Sequence, residues 1–226
     1  MNDRGRRYFA ENYSDYDRQN SPAKLSFYMG ILHRRLPRGS LIFELGVGLG
    51  SFLEMASREY RCMGCDPNDF AVEQTRRKLS SPDIRRGSYE QIPFEPACQA
   101  VIAWDVLEHV GQLDEALSVI CRRLPENGML FGVVPVYDGP LGPVVRLLDK
   151  DPTHLWKLSR HQWLDRLKQN HFEVIEFGGI IRKLLFRRWY LHLTGPQWLL
   201  KVCGSAIYFV ARRQKPSTRR TGEATQ

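Results

Sequence analysis

The run Glu44-Leu45-Gly46-Val47-Gly48-Leu49-Gly50 carries the densest chemistry in the sequence: an acid, then three glycines two residues apart, between an apolar stretch and a helical one. Glycines at this spacing let a backbone turn tightly and meet a ligand with no Cβ in the way. The helix that follows offers free N–H groups and the positive end of its dipole. By itself the run marks a nucleotide-type site and leaves a plain structural turn open. Asp66, twenty residues after Gly46, ends the next apolar run. A carboxylate at that point accepts both hydroxyls of a ribose in dinucleotide-binding folds. Gly46, Gly48, Gly50 and Asp66 together imply an adenosine-bearing cofactor, either NAD or S-adenosyl-L-methionine. The NAD fingerprint wants Gly or Ala at the last place of G-x-G-x-x-G, and Ser51 stands there. The methionine compound has no phosphate and presents an ammonium, which Glu44 at the lip of the turn is placed to hold, directly or through water.

Positioning these residues takes alternating strands and helices. Apolar residues at helical spacing over 22–36 end at Pro37-Arg38-Gly39, and LIFEL (41–45) reads as a buried strand leading through the glycines into a helix ending near Glu59. Further strands are expected at 61–65, 84–88, 100–104, 128–136, 172–177 and 205–213, with helices at 70–79, 114–124 and 161–170. The pattern gives a single α/β domain over 1–213. Its first 38 residues form an N-terminal helical cover, and 214–226 form a polar, basic tail expected to be disordered.

The ordered set ELGVGLG, CDPN, Ile92-Pro93-Phe94 and Asp105-Val106-Leu107-Glu108-His109-Val110 resembles the motifs of class I S-adenosylmethionine-dependent methyltransferases. The likeness is closer to the methyltransferase-11/23 type domains, which include ubiquinone-biosynthesis-like enzymes, and it covers about residues 40–178. It implies a Rossmann-like, doubly wound seven-stranded sheet, mostly parallel with an antiparallel last strand (SAIYFVARR) and helices on both faces. On that resemblance the glycines pass under the methionine end, Asp66 holds the ribose, the backbone around Ser88-Tyr89 edges the adenine, and the region at Asp105 closes over the methionine amine. Ser88 departs from the family's usual Asp, and a hydroxyl accepts more weakly than a charge; Tyr89 offers stacking in compensation.

The activity so implied is methyl transfer to a small-molecule acceptor, an in-line displacement in which the protein aligns the partners and excludes water. For a hydroxyl acceptor, a general base adds roughly 10²–10⁴ in rate. His109, inside the DVLEHV run, and His154, in the loop where this family builds its acceptor pocket, are the catalytic candidates. Each also reads as a hydrogen-bonded structural histidine. Tyr137 and Asp138 follow the fifth strand and belong to the same region, while Tyr8, Tyr13 and Tyr16 are candidates for the cover.

The chain has 226 residues, 42% hydrophobic and 26% charged, which suits a buried core and excludes low-complexity, collagen-like and multi-pass membrane classes. No apolar core follows the charges of the first residues, so no secretory signal is expected. Five cysteines are an odd, sparse set, the usage of reduced thiols in a cytoplasm. Cys62-x-x-Cys65 has zinc-like spacing but sits on an expected strand with no second pair, and no metal centre is expected. The net charge of +8 is local: residues 177–222 hold ten Lys/Arg and no Asp or Glu. Such a patch attracts nucleic acid, anionic lipid or an acidic substrate. The segment 179–204 is apolar, aromatic and basic together, as expected of a surface helix at an anionic membrane or a helical flap over the acceptor pocket. The expectation is therefore a cytoplasmic methyltransferase, peripheral to the membrane, acting on a hydroxyl of a hydrophobic or lipid-linked metabolite. Nucleic-acid or protein methylation, NAD-dependent oxidoreduction and non-catalytic cofactor binding are the competing classes.

Overall fold

Two five-residue apolar runs make the centre of the sheet. β1 (Leu41–Leu45) and β4 (Ala100–Trp104) are buried at every position, the signature of strands covered on both faces. The computed structural model describes residues 20–79, 83–185 and 189–214. Tyr8, Tyr13 and Tyr16 and the tail from 215 onward lie outside them. β2 (Arg61–Asp66) and β3 (Ile84–Arg86) extend the sheet on one side of β1, and β5 (Met129–Pro135) extends it beyond β4, all parallel. β8 (Ala206–Arg213) runs antiparallel between β5 and β6 (Phe172–Leu185), and β7 (Trp189–Leu193) closes the order β3-β2-β1-β4-β5-β8-β6-β7.

Two cores face opposite sides of this sheet. One packs α1 (Pro22–His33), α2 (Ser51–Ala56) and α3 (Asp69–Leu79) against Ile42, Ile102, Phe131 and Val210. The other packs α4 (Leu113–Arg123) and α6 (Arg160–Gln169) against Phe43, Val101 and Phe209. α4 shows why: Leu113, Ala116, Leu117, Ile120 and Cys121 are its buried residues, the i, i+3, i+4, i+7, i+8 stripe of a core-facing helix. α1 starts where Ser21 caps the Lys24 N–H and Pro22 takes the first turn.

The sheet has eight strands among the described residues, not seven, and the difference lies in the segment read as a surface helix or flap. β6 continues past Phe177 to Leu185, leaving β8 after the Ile180–Ala206 pair and taking up β7 from Ile181–Leu193. Pairing along that free edge satisfies backbone groups that a long unpaired strand leaves bare. Gly178-Gly179 permits this. A Cβ on Gly179 would stand 1.8 Å from the Leu200 carbonyl oxygen, so only glycine lets α7 (Gln197–Cys203) lie on the strand. α7 is the one described helix within 179–204. α5 (Gly142–Leu148), between β5 and α6, went unread in the sequence because its apolar residues face outward.

Candidate active site

Parallel β1, β2 and β4 end on one edge of the sheet, and Glu44, Asp66 and Asp105 gather there. Gly46, Gly48 and Gly50 all have positive φ, of 68°, 53° and 77°. A Cβ on Gly46 would come 2.6 Å from Val106 Cγ2, so this glycine lets the turn after β1 nest against the loop after β4. Asp66 Oδ2 accepts the Gly48 N–H at 3.0 Å and Oδ1 accepts the Asn68 N–H at 2.8 Å. Each carboxylate oxygen keeps a second lone pair for a ribose hydroxyl. Burial pushes the Asp66 carboxyl up to about 6 against the downward pull of those two N–H groups.

Glu44 is buried, and burial followed by the Asp66 charge raises its carboxyl well above the usual range. Its Oε2 has no hydrogen-bond partner among the described residues. A buried, unsatisfied acceptor wants a donor, and here it borders a turn stripped of side chains. These residues fit an adenosyl compound with a cationic amino-acid end: Asp66 for the ribose, Glu44 for the ammonium, and the glycine backbone between them.

Ser88 and Tyr89 occupy the turn after β3. The Ser88 carbonyl accepts from Cys65 Sγ at 3.1 Å, tying this turn to the end of β2. Tyr89 packs on the α4 side of the sheet, its hydroxyl against Glu115. Asp105 is ion-paired within the protein. Its Oδ2 takes Lys24 Nζ at 3.4 Å and its Oδ1 takes Arg182. Burial favours the neutral acid, but Arg182 and then Lys24 outweigh it and hold the carboxyl below the usual range. Lys24 comes from α1 and Arg182 from the β6 extension. Separations of 81 and 77 residues hid both from sequence reading.

His109 and His154 do meet, with ring centroids 4.8 Å apart. The loop bearing His154 is pinned by two backbone donors, Leu155 and Trp156, which reach the Glu108 carbonyl at 2.9 and 3.3 Å. Hydrogen bonds settle both tautomers. Thr153 Oγ1 gives its hydrogen to Asp151 at 2.5 Å, so its 2.9 Å contact with His109 Nδ1 is accepted from the ring. Tyr137 likewise gives its hydrogen to Asp149 Oδ2 at 2.5 Å. His154 Nδ1, 2.9 Å from Asp149 Oδ1, is then the donor to that carboxylate. This leaves the lone pair of each ring on Nε2, which in His154 stands 3.8 Å from Asp151 Oδ2. Burial, then the neighbouring His154, lowers the His109 pKa and keeps it neutral. The Asp138 carboxylate, in contrast, accepts the Arg160 backbone N–H at 3.2 Å and pairs with the Arg160 guanidinium, and so serves the start of α6.

Sequence reading did not single out Glu108, Asp149 or Thr153 as site residues. Glu108 lay inside the quoted DVLEHV run, but nothing in its type distinguished it from an exposed helix acid. Cys62 and Cys65 lie along β2 with thiols pushed up by burial, Cys62 to about 12.

Residues 43–132, from β1 into β5, match the family model described as a methyltransferase domain. A curated protein of Mycolicibacterium smegmatis, named "Probable S-adenosylmethionine-dependent methyltransferase", is 26% identical over 161 residues, which take in 68% of this chain and 59% of that protein. The chain thus spans about three fifths of the length of that relative. Among solved structures it is similar to a Thermotoga maritima S-adenosylmethionine-dependent methyltransferase described as a possible histamine N-methyltransferase, at 17% identity and TM-score 0.66, covering 92% of this chain and 97% of that one. It is also similar to a chain of the Haloferax volcanii complex between the Trm112 methyltransferase activator and a methyltransferase, at 16% identity and TM-score 0.69, covering 92% and 95%. At these identities the structural likeness speaks for the fold, while the matched domain takes in the glycine turn, Asp66 and the DVLEHV run. By motif order, matched domain and fold, the chain is similar to the class I S-adenosylmethionine-dependent methyltransferases.

Proposed function

We propose that this chain transfers a methyl group to a hydroxyl of a hydrophobic small molecule, a lipid-linked metabolite being the acceptor class its surface suits. When bound, S-adenosylmethionine supplies an electrophilic methyl on a sulfonium. Glu44, the backbone of Gly46, Gly48 and Gly50, and Asp66 would hold it. The observation that carries the reading is the imidazole pair: two rings with centroids 4.8 Å apart, each fixed through Nδ1, by Thr153 and by Asp149. Their part is to ease removal of the acceptor's proton, and the Asp149 carboxylate stabilises any charge that His154 gains. Trp104, stacked on Tyr28 at 4.4 Å and edged by Phe52, closes the sheet side of the site to water.

Exposed large apolar side chains support a hydrophobic acceptor. Among the described residues, all except Phe94 lie between Val144 and Val202, on α5, on α7 and in the segments near them. The test is turnover of labelled cofactor against matched hydroxyl, amine and thiol acceptors of graded chain length. His154→Ala is expected to lower turnover about 10²–10⁴-fold with S-adenosylhomocysteine affinity unchanged by calorimetry. Turnover equal to wild type removes His154 from the reaction, and exclusive amine methylation overturns the hydroxyl assignment. Salt-dependent RNA binding with methylated RNA as product would favour the reading that the basic segment 177–222 invites.

A further inference from the structure

Glu108 is 1% exposed, yet its Oε2 has no hydrogen-bond partner among the described residues. A carboxylate unpaired at that depth is costly, and buried charges are ordinarily paired or coordinate a metal. The imidazole pair adjoins it, and the charges of Asp105, Arg182 and Asp151 also act on it. One ligating atom from each of Glu108, His109 and His154 lies within 4.8 Å of the others. Both rings are already set as metal-bound histidines are set: Nδ1–H donates outward, to Thr153 and to Asp149, and Nε2 keeps its lone pair. Leu155 and Trp156 tie the His154 loop to the Glu108 carbonyl, so the three donors are held together before any ligand arrives.

We propose that Glu108, His109 and His154 bind one divalent transition-metal cation, of the zinc or manganese type, with open coordination positions toward the acceptor. Two imidazoles and one carboxylate form a donor set that such cations favour over magnesium, which prefers oxygen alone. In a tetrahedral site with bonds of about 2.1 Å the donors stand about 3.4 Å apart. The cluster therefore contracts by up to about 1.4 Å on loading. The expectation that the chain holds no metal centre considered only the cysteine pair, and this cluster lies at the ends of other strands. The inference rests on the acceptor-site reading, and deepens it. A cation here takes the acceptor's oxygen and lowers the pKa of its hydroxyl, which makes the imidazoles ligands.

The test uses the full chain, stripped with chelator and titrated with zinc chloride, manganese chloride and magnesium chloride by calorimetry, with metal content read by mass spectrometry. One equivalent of zinc or manganese per chain is expected, with affinity reduced at least about 100-fold in Glu108→Gln and in His154→Ala. Asp149→Asn, which alters the outer partner of the His154 ring and none of the three ligands, is expected to cost about 10–100-fold. Retained S-adenosylhomocysteine binding shows each variant to be folded. Should the glutamate variant fail that check, the visible absorption of cobalt-loaded wild type decides: bands of four- or five-coordinate intensity support the site, and a six-coordinate aqueous spectrum overturns it. Wild type that takes up no cation overturns it, as do variants that bind as tightly as wild type. Cation binding without methyl transfer keeps the site and sinks the acceptor reading. Methyl transfer undiminished in chelator, with no cation retained, does the reverse.

Discussion

Asp66 shows how one side chain is set for its task by competing forces. Burial lifts its carboxyl to about 6 from an ordinary 3.8, while two backbone N–H groups resist the shift. A ribose hydroxyl donates best to the anion, so affinity for S-adenosylhomocysteine is expected to be level above pH 7 and to fall as pH drops through about 6. Calorimetry at pH 5 and pH 8 measures this, and Asp66→Ala should flatten that part of the profile. The same substitution is expected to weaken binding by about 1.5–3 kcal/mol, the value of a hydrogen bond to a charged acceptor. Affinity equal to wild type would remove Asp66 from the ribose site. The effect on stability has the opposite sign. The folded carboxyl titrates above its unfolded value, so the apoprotein binds the proton more tightly folded than unfolded. It therefore loses stability from this group as pH rises from about 3.8 to about 6.

At the scale of elements, Asp105 joins three parts of the chain that sequence keeps far apart. It sits at φ 59° at the end of β4, and Lys24 of α1 and Arg182 of β6 converge on it. β7 adds His192, whose ring edges Phe27 of α1 at 5.5 Å; burial, then Lys24 and Arg182, lower its pKa to about 4. The N-terminal helix and the edge hairpin are thus fastened to each other across the site's rim. Asp105→Asn removes the charge and keeps a residue that tolerates positive φ, so backbone strain is not the variable. It leaves two cations facing each other, Lys24 being almost wholly buried, although Asp105 itself keeps 27% of its side-chain surface exposed. The expected loss lies between the surface and buried limits for ion pairs, at about 1–3 kcal/mol by urea denaturation. A midpoint equal to wild type would mean that the hairpin and helix are held by their apolar contacts alone.

On the scale of the whole molecule, the basic segment of the sequence meets exposed apolar surface on α7, where Lys201 follows Trp198 by three residues. The ten Lys/Arg of 177–222 meet no acid in that segment, and Trp198 and Leu147 are each 77% exposed. No helix among the described residues is long and apolar enough to cross a membrane. Co-sedimentation with anionic vesicles is expected, weakening in high salt and in Trp198→Ser/Lys201→Glu, with none on neutral vesicles. Equal sedimentation of wild type and variant would take this face off the membrane. Removing 180–203 is no test, because it takes out β7, α7 and the end of β6.

Local signals sufficed for the alternating elements, for a glycine turn after β1 and for Asp66 at the end of β2, because continuous apolar runs, helical stripes and glycine spacing act over a few residues. They did not suffice for the eighth strand, since Gly178-Gly179 reads as a break until α7 is seen lying on it. Nor did they suffice for the partners of Asp105, or for Glu108 and Asp149 around the two histidines. Those groups become neighbours only when parallel strands bring their ends to one edge, and a carboxylate's burial and company are properties of that assembly, invisible in its residue type.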